Sequence, residues 1–170
     1  MKHIKTYESF EDNSELIRNL FNFLITNYTI NGDGIIDVDG SVDLSSKGLT
    51  SIPFKFGLVI GHFDISNNKL TSLEGCPKEV VADFDCSHNK LKDLIGGPQD
   101  VDRNYFCDNN ELESLEGCAG DIKGRLVCRY NKLEMLDCSS VIFGDICCDG
   151  NNFKKEPEFF GVCGGKIKWK

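Results

Sequence analysis

The chain has 170 residues, of which 40% are hydrophobic and 27% are charged, and its formal net charge at pH 7 is −8. This length and apolar content suffice for one domain with a continuous core, and no run of about twenty apolar residues predicts a membrane-spanning helix. Residues 31–153 hold 11 Lys or Arg against 21 Asp or Glu, which argues against direct binding to the phosphate backbone of a nucleic acid.

The N-terminal segment, residues 1–41, is predicted to cap one end of this domain. Residues 14–28 place apolar side chains at the spacing of one helix face, with Ser14 as a suitable N-cap, which predicts an amphipathic α-helix. These side chains are Leu16, Ile17, Leu20, Phe21, Leu24 and Tyr28. The Asn-Gly and Asp-Gly pairs in the following stretch, "INGDGIIDVDG", favour a hairpin.

The next segment, residues 42–153, repeats itself every 21 residues. The stretch "FDISNNKLTSLEGCP" begins at Phe63, and "FDCSHNKLKDLIGGP", "YFCDNNELESLEGCA" and "LVCRYNKLEMLDCSS" begin at Phe84, Tyr105 and Leu126. One asparagine marks each copy, and these are Asn68, Asn89, Asn110, Asn131 and Asn151. A weaker copy, "VDLSSKGLTSIP", lies one period upstream. Such self-similarity indicates a solenoid in which each copy forms one turn.

These copies resemble the leucine-rich repeat, whose form L-x-x-L-x-L-x-x-N/C-x-L they match with Phe or Leu and Ile or Cys before the asparagine. The phrase "LTSLEGCPKEV" and the opening "MKHIKTYESF" are similar to leucine-rich repeat proteins of tailed bacteriophages, most of which have no assigned activity. The resemblance implies a leucine-rich repeat right-handed solenoid with a parallel β-sheet on its concave face. Lys2 and Lys5 precede a polar stretch that is unlike a signal peptide, so we expect a cytoplasmic protein, in the host cell if phage-encoded.

Each turn has the same predicted construction. Residues 84–87 alternate as a short strand, in which Phe84 and Cys86 point inward while Asp85 and Ser87 point outward. The asparagine that follows satisfies backbone groups at the bend, and the next leucines fill the interior. One inward residue per turn serves the far side, and these are Val59, Val80, Val101 and Ile122. Few residues remain on that convex side, which predicts extended or short 3₁₀ segments and little helix.

The last segment, residues 154–170, is predicted to close the other end of the solenoid as a C-terminal cap. Its large apolar residues are Phe159, Phe160, Ile167 and Trp169. The last two of them fall 21 residues after Ile146 and Cys148, which indicates a partial final turn. This segment carries five lysines and two glutamates, so it is basic where the repeats are acidic.

Nine cysteines admit three interpretations. Four of them form one inward column on neighbouring turns, and these are Cys86, Cys107, Cys128 and Cys148. Because a straight file of thiols cannot surround a zinc ion tetrahedrally, we predict buried reduced thiols in this column. Disulfides are the second interpretation. The third is a metal ion held by Cys147, Cys148 and Cys163, of which Cys147 is predicted to face outward.

No group of residues has the spacing of a catalytic site. The histidines His3, His62 and His88 stand in no nucleophile or metal motif. The stretch "DVDGSVD" resembles a calcium loop, but Val42 occupies the position that requires glycine, so a hairpin is favoured. We therefore predict that the protein is not an enzyme and uses no cofactor and no metal.

The candidate site is the outward surface of the predicted concave sheet. Its members come from two adjacent columns and one nearby position, and they are Asp43, Asp64, Asp85, Phe106, Val127, Asp108, Arg129, Asp149 and Tyr130. Stacked like charges repel one another, so a scaffold does not require them, although copying of one repeat would also produce them. Aromatic and arginine side chains among acids are typical of a protein-binding surface.

The acidic charge of this surface favours a protein partner with a basic face. We therefore expect a protein–protein interaction module that binds through the concave sheet, with inhibition of a host or defence factor by a phage-encoded protein as one role. A structural or assembly protein of a phage particle is the alternative. The sequence indicates neither the identity of the partner nor the oligomeric state.

Overall fold

The structure, a computed structural model, describes residues 27–170 of the chain. All regular elements in this range are short strands, and no helix occurs among them, so none of the described residues forms a helix that could cross a membrane. The predicted N-terminal helix over residues 14–28 lies outside the described residues except at its last two positions. Tyr28, the predicted end of that helix, belongs instead to a strand, because it pairs with Val38.

The strands of the described range are numbered along the chain. They are β1 (Tyr28–Ile30), β2 (Ile35–Val38), β3 (Val42–Asp43), β4 (Lys55–Val59), β5 (Phe63–Asp64), β6 (Glu79–Val80), β7 (Phe84–Asp85), β8 (Asp100–Val101), β9 (Tyr105–Phe106), β10 (Asp121–Ile122), β11 (Leu126–Val127), β12 (Val141–Ile142), β13 (Ile146–Cys147), β14 (Val162–Cys163) and β15 (Ile167–Lys168).

These strands form two sheets. Sheet 1 contains the odd-numbered strands from β3 to β15 in sequence order, and sheet 2 contains β1, β2 and the even-numbered strands from β4 to β14. All neighbouring strands are parallel except β1 and β2. Each turn of the chain therefore adds one strand to each sheet, which makes the molecule a repeat-based β-solenoid.

The far side of each turn carries more order than the sequence predicts. The expected extended segments are present, but they pair with one another as the parallel strands of sheet 2. Hydrogen bonds such as that from Asp102 N to Val80 O, at 2.9 Å, join one turn to the next on this side. The inward residues Val59, Val80, Val101 and Ile122 are buried as predicted.

The 21-residue period places equivalent side chains directly beside one another in the core. Phe63 is the register partner of Phe84, and Phe84 is the partner of Tyr105. Their ring centroids lie 6.0 Å and 4.8 Å apart, and all three side chains are fully buried. Leucines of successive copies are fully buried in the same way, and they are Leu70, Leu91, Leu112 and Leu133.

The asparagine of each copy bonds to backbone groups of two turns, as predicted. Asn89 Nδ2 donates to the carbonyl oxygens of Ile65, at 3.0 Å, and Cys86, at 3.1 Å. Its Oδ1 accepts from Leu70 N at 2.9 Å. Because Ile65 and Leu70 belong to the preceding turn, one buried side chain fastens each bend to its neighbour.

The two ends of the described range differ from the repeats. At the first end, β1 and β2 form the predicted antiparallel hairpin, and Asn31 Oδ1 accepts from Asp33 N and Ile35 N at its turn. At the other end, β14 and β15 continue the two ladders, and Trp169 packs against the core. Phe160, predicted to close this end, is instead 72% exposed.

One turn is a residue shorter than the others. Asn151 follows Asn131 after 20 residues, and the register pair Asp121 with Val141 keeps this offset. Leu115 and Leu136 are still 21 apart, so the missing residue lies in the bend between Leu136 and Val141. The residues of this bend are consequently shifted relative to those of the preceding turn.

Candidate functional site

The outward surface of sheet 1 carries the predicted column of residues in unbroken register. The pairing runs from Asp43 to Asp64, Asp85, Phe106, Val127, Cys147 and Lys168 in that order. We call this surface, with the adjacent residues Asp108, Arg129, Tyr130 and Asp149, the aspartate face. The structure thus places the predicted site residues on one surface.

Each of the first three aspartates is fixed by its own strand end. Asp43 Oδ1 accepts from Ser45 N, at 2.9 Å, and from Ser45 Oγ, at 2.7 Å. Asp64 and Asp85 accept in the same way from the backbone N–H two residues later, at 2.8 Å and 2.9 Å. This local turn holds the three carboxylates at the same orientation on neighbouring rungs.

Two aspartates of the column, Asp43 and Asp85, have pKa values shifted in opposite directions. Burial raises the pKa of Asp85, and the neighbouring carboxylates of Asp64 and Asp108 add to that effect. At the edge strand β3, the hydrogen bonds from the side chain and backbone of Ser45 lower the pKa of Asp43. The middle of the column is therefore the place where a negative charge is held at a cost.

Cations do not neutralise the acidic part of the aspartate face. Within residues 27–170, no Lys, Arg or His forms an ion pair with Asp43, Asp64, Asp85 or Asp108. Elsewhere, carboxylates on neighbouring turns do find cations. The pairs are Lys123 with Asp102 at 2.5 Å, Lys132 with Glu111 at 2.9 Å and Lys168 with Asp145 at 2.6 Å. The uncompensated charge is a property of this face, rather than of the whole repeat.

Phe106 and Val127 interrupt the acidic column with half-buried apolar side chains. Beside them, Arg129 Nε lies 2.7 Å from Asp149 Oδ1. The two side chains form an ion pair, and Arg129 Nε is buried. The face therefore changes along its length from acids to apolar groups and then to an internal ion pair.

Tyr130 occupies a strained backbone position at the rim of this face. The residue before the asparagine position of each turn is left-handed, and the residues in this slot are Ser46, Asn67, His88, Asn109, Tyr130 and Gly150, with Lys47 standing in the asparagine position after Ser46. Tyr130 has φ 51° and a side chain that is 58% exposed. A bulky aromatic residue is uncommon in this conformation, and such strain is concentrated at functional positions. A Cβ at Gly150 would lie 2.5 Å from the ring, so the tyrosine rests against that glycine.

Comparison of the chain with protein-family models, curated proteins and solved structures found no match. The repeat solenoid is therefore recognised from its own 21-residue spacing and its two parallel ladders. Membership of the leucine-rich repeat family and a phage origin are proposals.

Three predicted features of the outward columns are corrected by the structure. Cys147, predicted to face solvent, is only 5% exposed. Ser66 and Ser87, also predicted to face outward, are buried. The accessible part of the face includes the carboxylates, Phe106, Val127, Arg129, Tyr130 and Lys168.

Sequence reasoning missed two charged groups. Lys168 ends the column, and the 21-residue offsets of Ile167 and Trp169 were sufficient to place it there. Sheet 2 carries an acidic column of its own, in which Glu79, Asp100 and Asp121 are register partners and all exposed. Their spacing of 21 residues was the available indication. A cation lies near this second column, because the charges of Glu79 and Asp100 contribute to the raised pKa of Lys123, after its bond to Asp102. On the aspartate face, the charge of Lys47 acts in the same way on Asp43, where it helps to lower the pKa after the hydrogen bonds from Ser45.

The described residues hold no cluster of three or more His, Cys, Asp or Glu side chains arranged around a common point for a metal ion. All nine cysteines are free thiols. In the inward column, Cys86 Sγ donates to Phe106 O at 3.3 Å, and burial raises the pKa of Cys86 and of Cys107. These thiols act as small core side chains, as the first interpretation predicts.

Proposed function

We propose that the protein is a binding module of the leucine-rich repeat type, and that its aspartate face binds a partner protein with a basic surface. Asp85 carries this proposal. Its carboxylate is half-buried between Asp64 and Phe106, its pKa is raised, and it has no cationic partner among the described residues. Such a charge destabilises the free protein, and a cation supplied by a partner would remove the penalty.

The apolar part of the face supports the same proposal. Phe106 follows Asp85 directly in register, and Tyr130 stands exposed and strained near the far end of the column. Interfaces commonly have a desolvated aromatic centre surrounded by charges, where the aromatic group slows dissociation and the charges speed association. Binding of a protein, and not catalysis, is the role that this arrangement fits.

We further propose that the protein is phage-encoded and acts in the host cytoplasm on a host or defence factor. A protein that itself binds nucleic acid is a suitable target, because its basic surface would be occupied by the acidic face. The face would repel nucleic acid itself. A structural or assembly role in the phage particle is the alternative, and it predicts that the protein copurifies with particles.

Affinity capture from infected cells, compared with the protein content of purified particles, distinguishes these roles and supplies a partner for measurement. With that partner in hand, Asp85→Lys is expected to weaken binding most at low ionic strength. Phe106→Ala is expected to weaken it at all salt concentrations, by about 2 kcal/mol if the ring is a hot spot.

The matched control is Asp100→Lys on sheet 2. It changes the net charge by the same amount as Asp85→Lys and lies in a column of the same spacing, but on the opposite surface. We expect binding to survive this substitution. Loss of binding with Asp100→Lys, together with normal binding by both aspartate-face variants, would place the interface on sheet 2 and refute the proposal.

A further inference from the structure

The shortened turn brings two cysteines of different repeats together. Cys118 lies three residues before Asp121, and Cys138 lies three residues before its register partner Val141. The two cysteines therefore occupy corresponding positions on adjacent turns. Neighbouring strands lie about 4.8 Å apart, which is within the Cα separation of about 4.4–6.8 Å that a disulfide bridges.

The two thiols are in hydrogen-bond contact. The Cys118 thiol donates toward the sulfur of Cys138, which lowers the pKa of Cys138 to about 7, and the buried Ser140 adds to the effect. The same contact with Cys138 and burial raise the pKa of Cys118. The negative charge of Asp137 opposes the ionisation of Cys138. The charge of Cys138 in turn contributes to the raised pKa of Cys107, after burial and Asp108. Near neutral pH, Cys138 is therefore partly ionised, whereas Cys118 keeps its proton.

The pair can be reached from the surface. Cys118 lines an open depression of about 600 Å³, together with Gly97, Pro98, Gln99, Gly117 and Gly120. The hydroxyl of Tyr105 is buried without a hydrogen-bond partner among the described residues, and a Cβ at Gly97 would lie 3.0 Å from it. A polar group that entered the depression beside Gly97 would therefore find an unused donor close to Cys118.

We propose that Cys118 and Cys138 form a dithiol site that exchanges with small disulfides and closes into an internal disulfide. The inference rests on the contact between two thiols of adjacent turns and on the depression that opens onto one of them. It is independent of the function proposed for the aspartate face. Oxidised glutathione represents the class of reagent.

The reaction has two steps. The Cys118 sulfur attacks one sulfur of the small disulfide, its proton passes to the Cys138 thiolate, and one small thiolate leaves. That thiolate then takes the proton from Cys138. The Cys138 thiolate attacks the Cys118 sulfur, the Cys118–Cys138 bond forms, and the second small thiolate leaves. The thiol of Cys118 and the thiolate of Cys138 are oxidised, and the small disulfide is reduced to one thiol and one thiolate, which takes a proton from water.

Other cysteines of the same fold provide internal controls. Cys76 occupies the slot of Cys118 two turns earlier, but the turn between them has Gly97 in that slot, so Cys76 has no thiol neighbour on the next turn. Cys128 and Cys148 are in contact as Cys118 and Cys138 are, but both are fully buried. Cys128 and Cys148 are therefore the control for thiol contact without access from the surface, and Cys76 is the control for a buried thiol without a thiol neighbour.

The test treats the folded full-length protein with oxidised glutathione, alkylates the remaining thiols in denaturant, and maps the linked peptides by mass spectrometry. We expect two fewer alkylated cysteines and a peptide in which Cys118 is joined to Cys138. Cys76→Ser should give the same link. Cys138→Ser should give no internal disulfide, and the glutathione adduct on Cys118 should form more slowly, because the acceptor of its proton is lost, and then persist.

The wild-type map alone can overturn the proposal, even where a variant fails to fold. A folded protein whose thiols all remain alkylatable after this treatment would refute it. A first link between Cys128 and Cys148, or an adduct on Cys76 before any on Cys118, would also refute it. Reduction of the linked protein with dithiothreitol should restore both thiols, which distinguishes the disulfide from irreversible oxidation.

Discussion

At each bend of the solenoid, a single amide side chain satisfies backbone groups that no strand can reach. Asn110 Nδ2 donates to Cys86 O at 3.0 Å and to Cys107 O at 3.2 Å, while its Oδ1 accepts from Leu91 N at 3.0 Å. An amide is suited to this position because it has donors and an acceptor on one planar group. An asparagine therefore recurs in each repeat because the bend of that repeat has buried backbone groups that need hydrogen-bond partners.

Asn110→Leu tests this role. The leucine keeps the number and branching of side-chain heavy atoms but leaves the carbonyls of Cys86 and Cys107 and the N–H of Leu91 buried without partners. We expect a loss of about 1–3 kcal/mol in the free energy of unfolding, measured by chemical denaturation. The control is Asn152→Leu on the exposed surface, which should change stability little; equal losses in the two variants would contradict the role.

The aspartate face supplies a second test at the scale of single residues. Because the folded-state pKa of Asp85 is raised, the folded protein binds the proton more tightly than the unfolded chain does. The contribution of Asp85 to stability therefore falls as pH rises from the unfolded-state value, about 3.9, through the folded-state value. Asp85→Asn keeps an acceptor for Ser87 N and removes this penalty. We expect it to stabilise the protein at pH 7 by up to about 1 kcal/mol, with the gain vanishing at low pH.

Asp43→Asn is the matched variant with the opposite sign. The lowered pKa of Asp43 means that its charge stabilises the fold above the unfolded-state pKa, and this contribution is lost as pH falls through the folded-state value. We expect Asp43→Asn to destabilise at pH 7. Thermal unfolding of both variants from pH 3 to pH 8 measures how the stability of each changes with pH relative to the wild type. The same pH dependence in Asp85→Asn and Asp43→Asn would contradict the assignment of an unfavourable charge to Asp85.

Among the local elements, the bend after the second leucine of each repeat shows most clearly how one turn constrains the next. Gly75, Gly96 and Gly117 have positive φ in this bend. A Cβ at Gly117 would also lie 2.4–2.5 Å from the backbone of Leu94 and Ile95 in the preceding turn. Both the dihedral angle and the close packing of turns therefore require glycine.

Gly117→Ala separates this packing requirement from backbone strain alone. At Gly34, which also has positive φ but no atom near its Cβ position, alanine is expected to cost about 1–2 kcal/mol. At Gly117 the backbone of two turns must also move, so we expect a further loss of about 1–3 kcal/mol. Denaturation midpoints of the two variants provide the measurement, and a smaller effect at Gly117 than at Gly34 would show that the turns can separate freely.

How much of this could be predicted depends on whether the residues around an element alternate. Sheet 1 was predictable because inward and outward residues alternate through segments such as residues 84–87 and repeat with the period. Sheet 2 was not, because each repeat supplies a single inward residue there, such as Val80 or Val101, with no alternating segment around it. The exposure of Cys147 depends on what flanks it, and the pairing of Cys118 with Cys138 depends on one missing residue. The repeat period alone predicts which residues are neighbours on adjacent turns, but not how exposed each of them is.

On the scale of the whole molecule, each turn is stabilised by its hydrogen bonds to the neighbouring turns in sheet 1 and sheet 2. In sheet 1, each strand donates to the following one, as in Ile146 N to Lys166 O, at 2.9 Å, and Cys148 N to Lys168 O, at 2.7 Å. β15 is the last strand of this ladder. Within the described residues, the N–H groups of Ile167 and Trp169 consequently have no acceptor strand. Solenoids lose order from such ends, because an end turn contacts a neighbour on one side only.

Amide hydrogen exchange should display this gradient. We expect the N–H groups of Ile167 and Trp169 to exchange fastest among the inward positions of sheet 1. Those of Cys107 and Cys128, in the middle of the ladder, should exchange only with global unfolding. Uniform protection along the ladder would contradict this expectation and would indicate that the β15 edge is covered in solution.

The unbroken register of sheet 1 also gives the molecule an electrical direction. The column begins with three aspartates at β3, β5 and β7 and ends with Lys168 at β15, and the segment from Lys154 onward carries five lysines against two glutamates. Negative and positive charge are thus separated along the solenoid axis, as the poles of a permanent dipole. A charged macromolecule approaching from solution would experience a torque as well as an attraction. Its orientation would then be selected before any side chains touch.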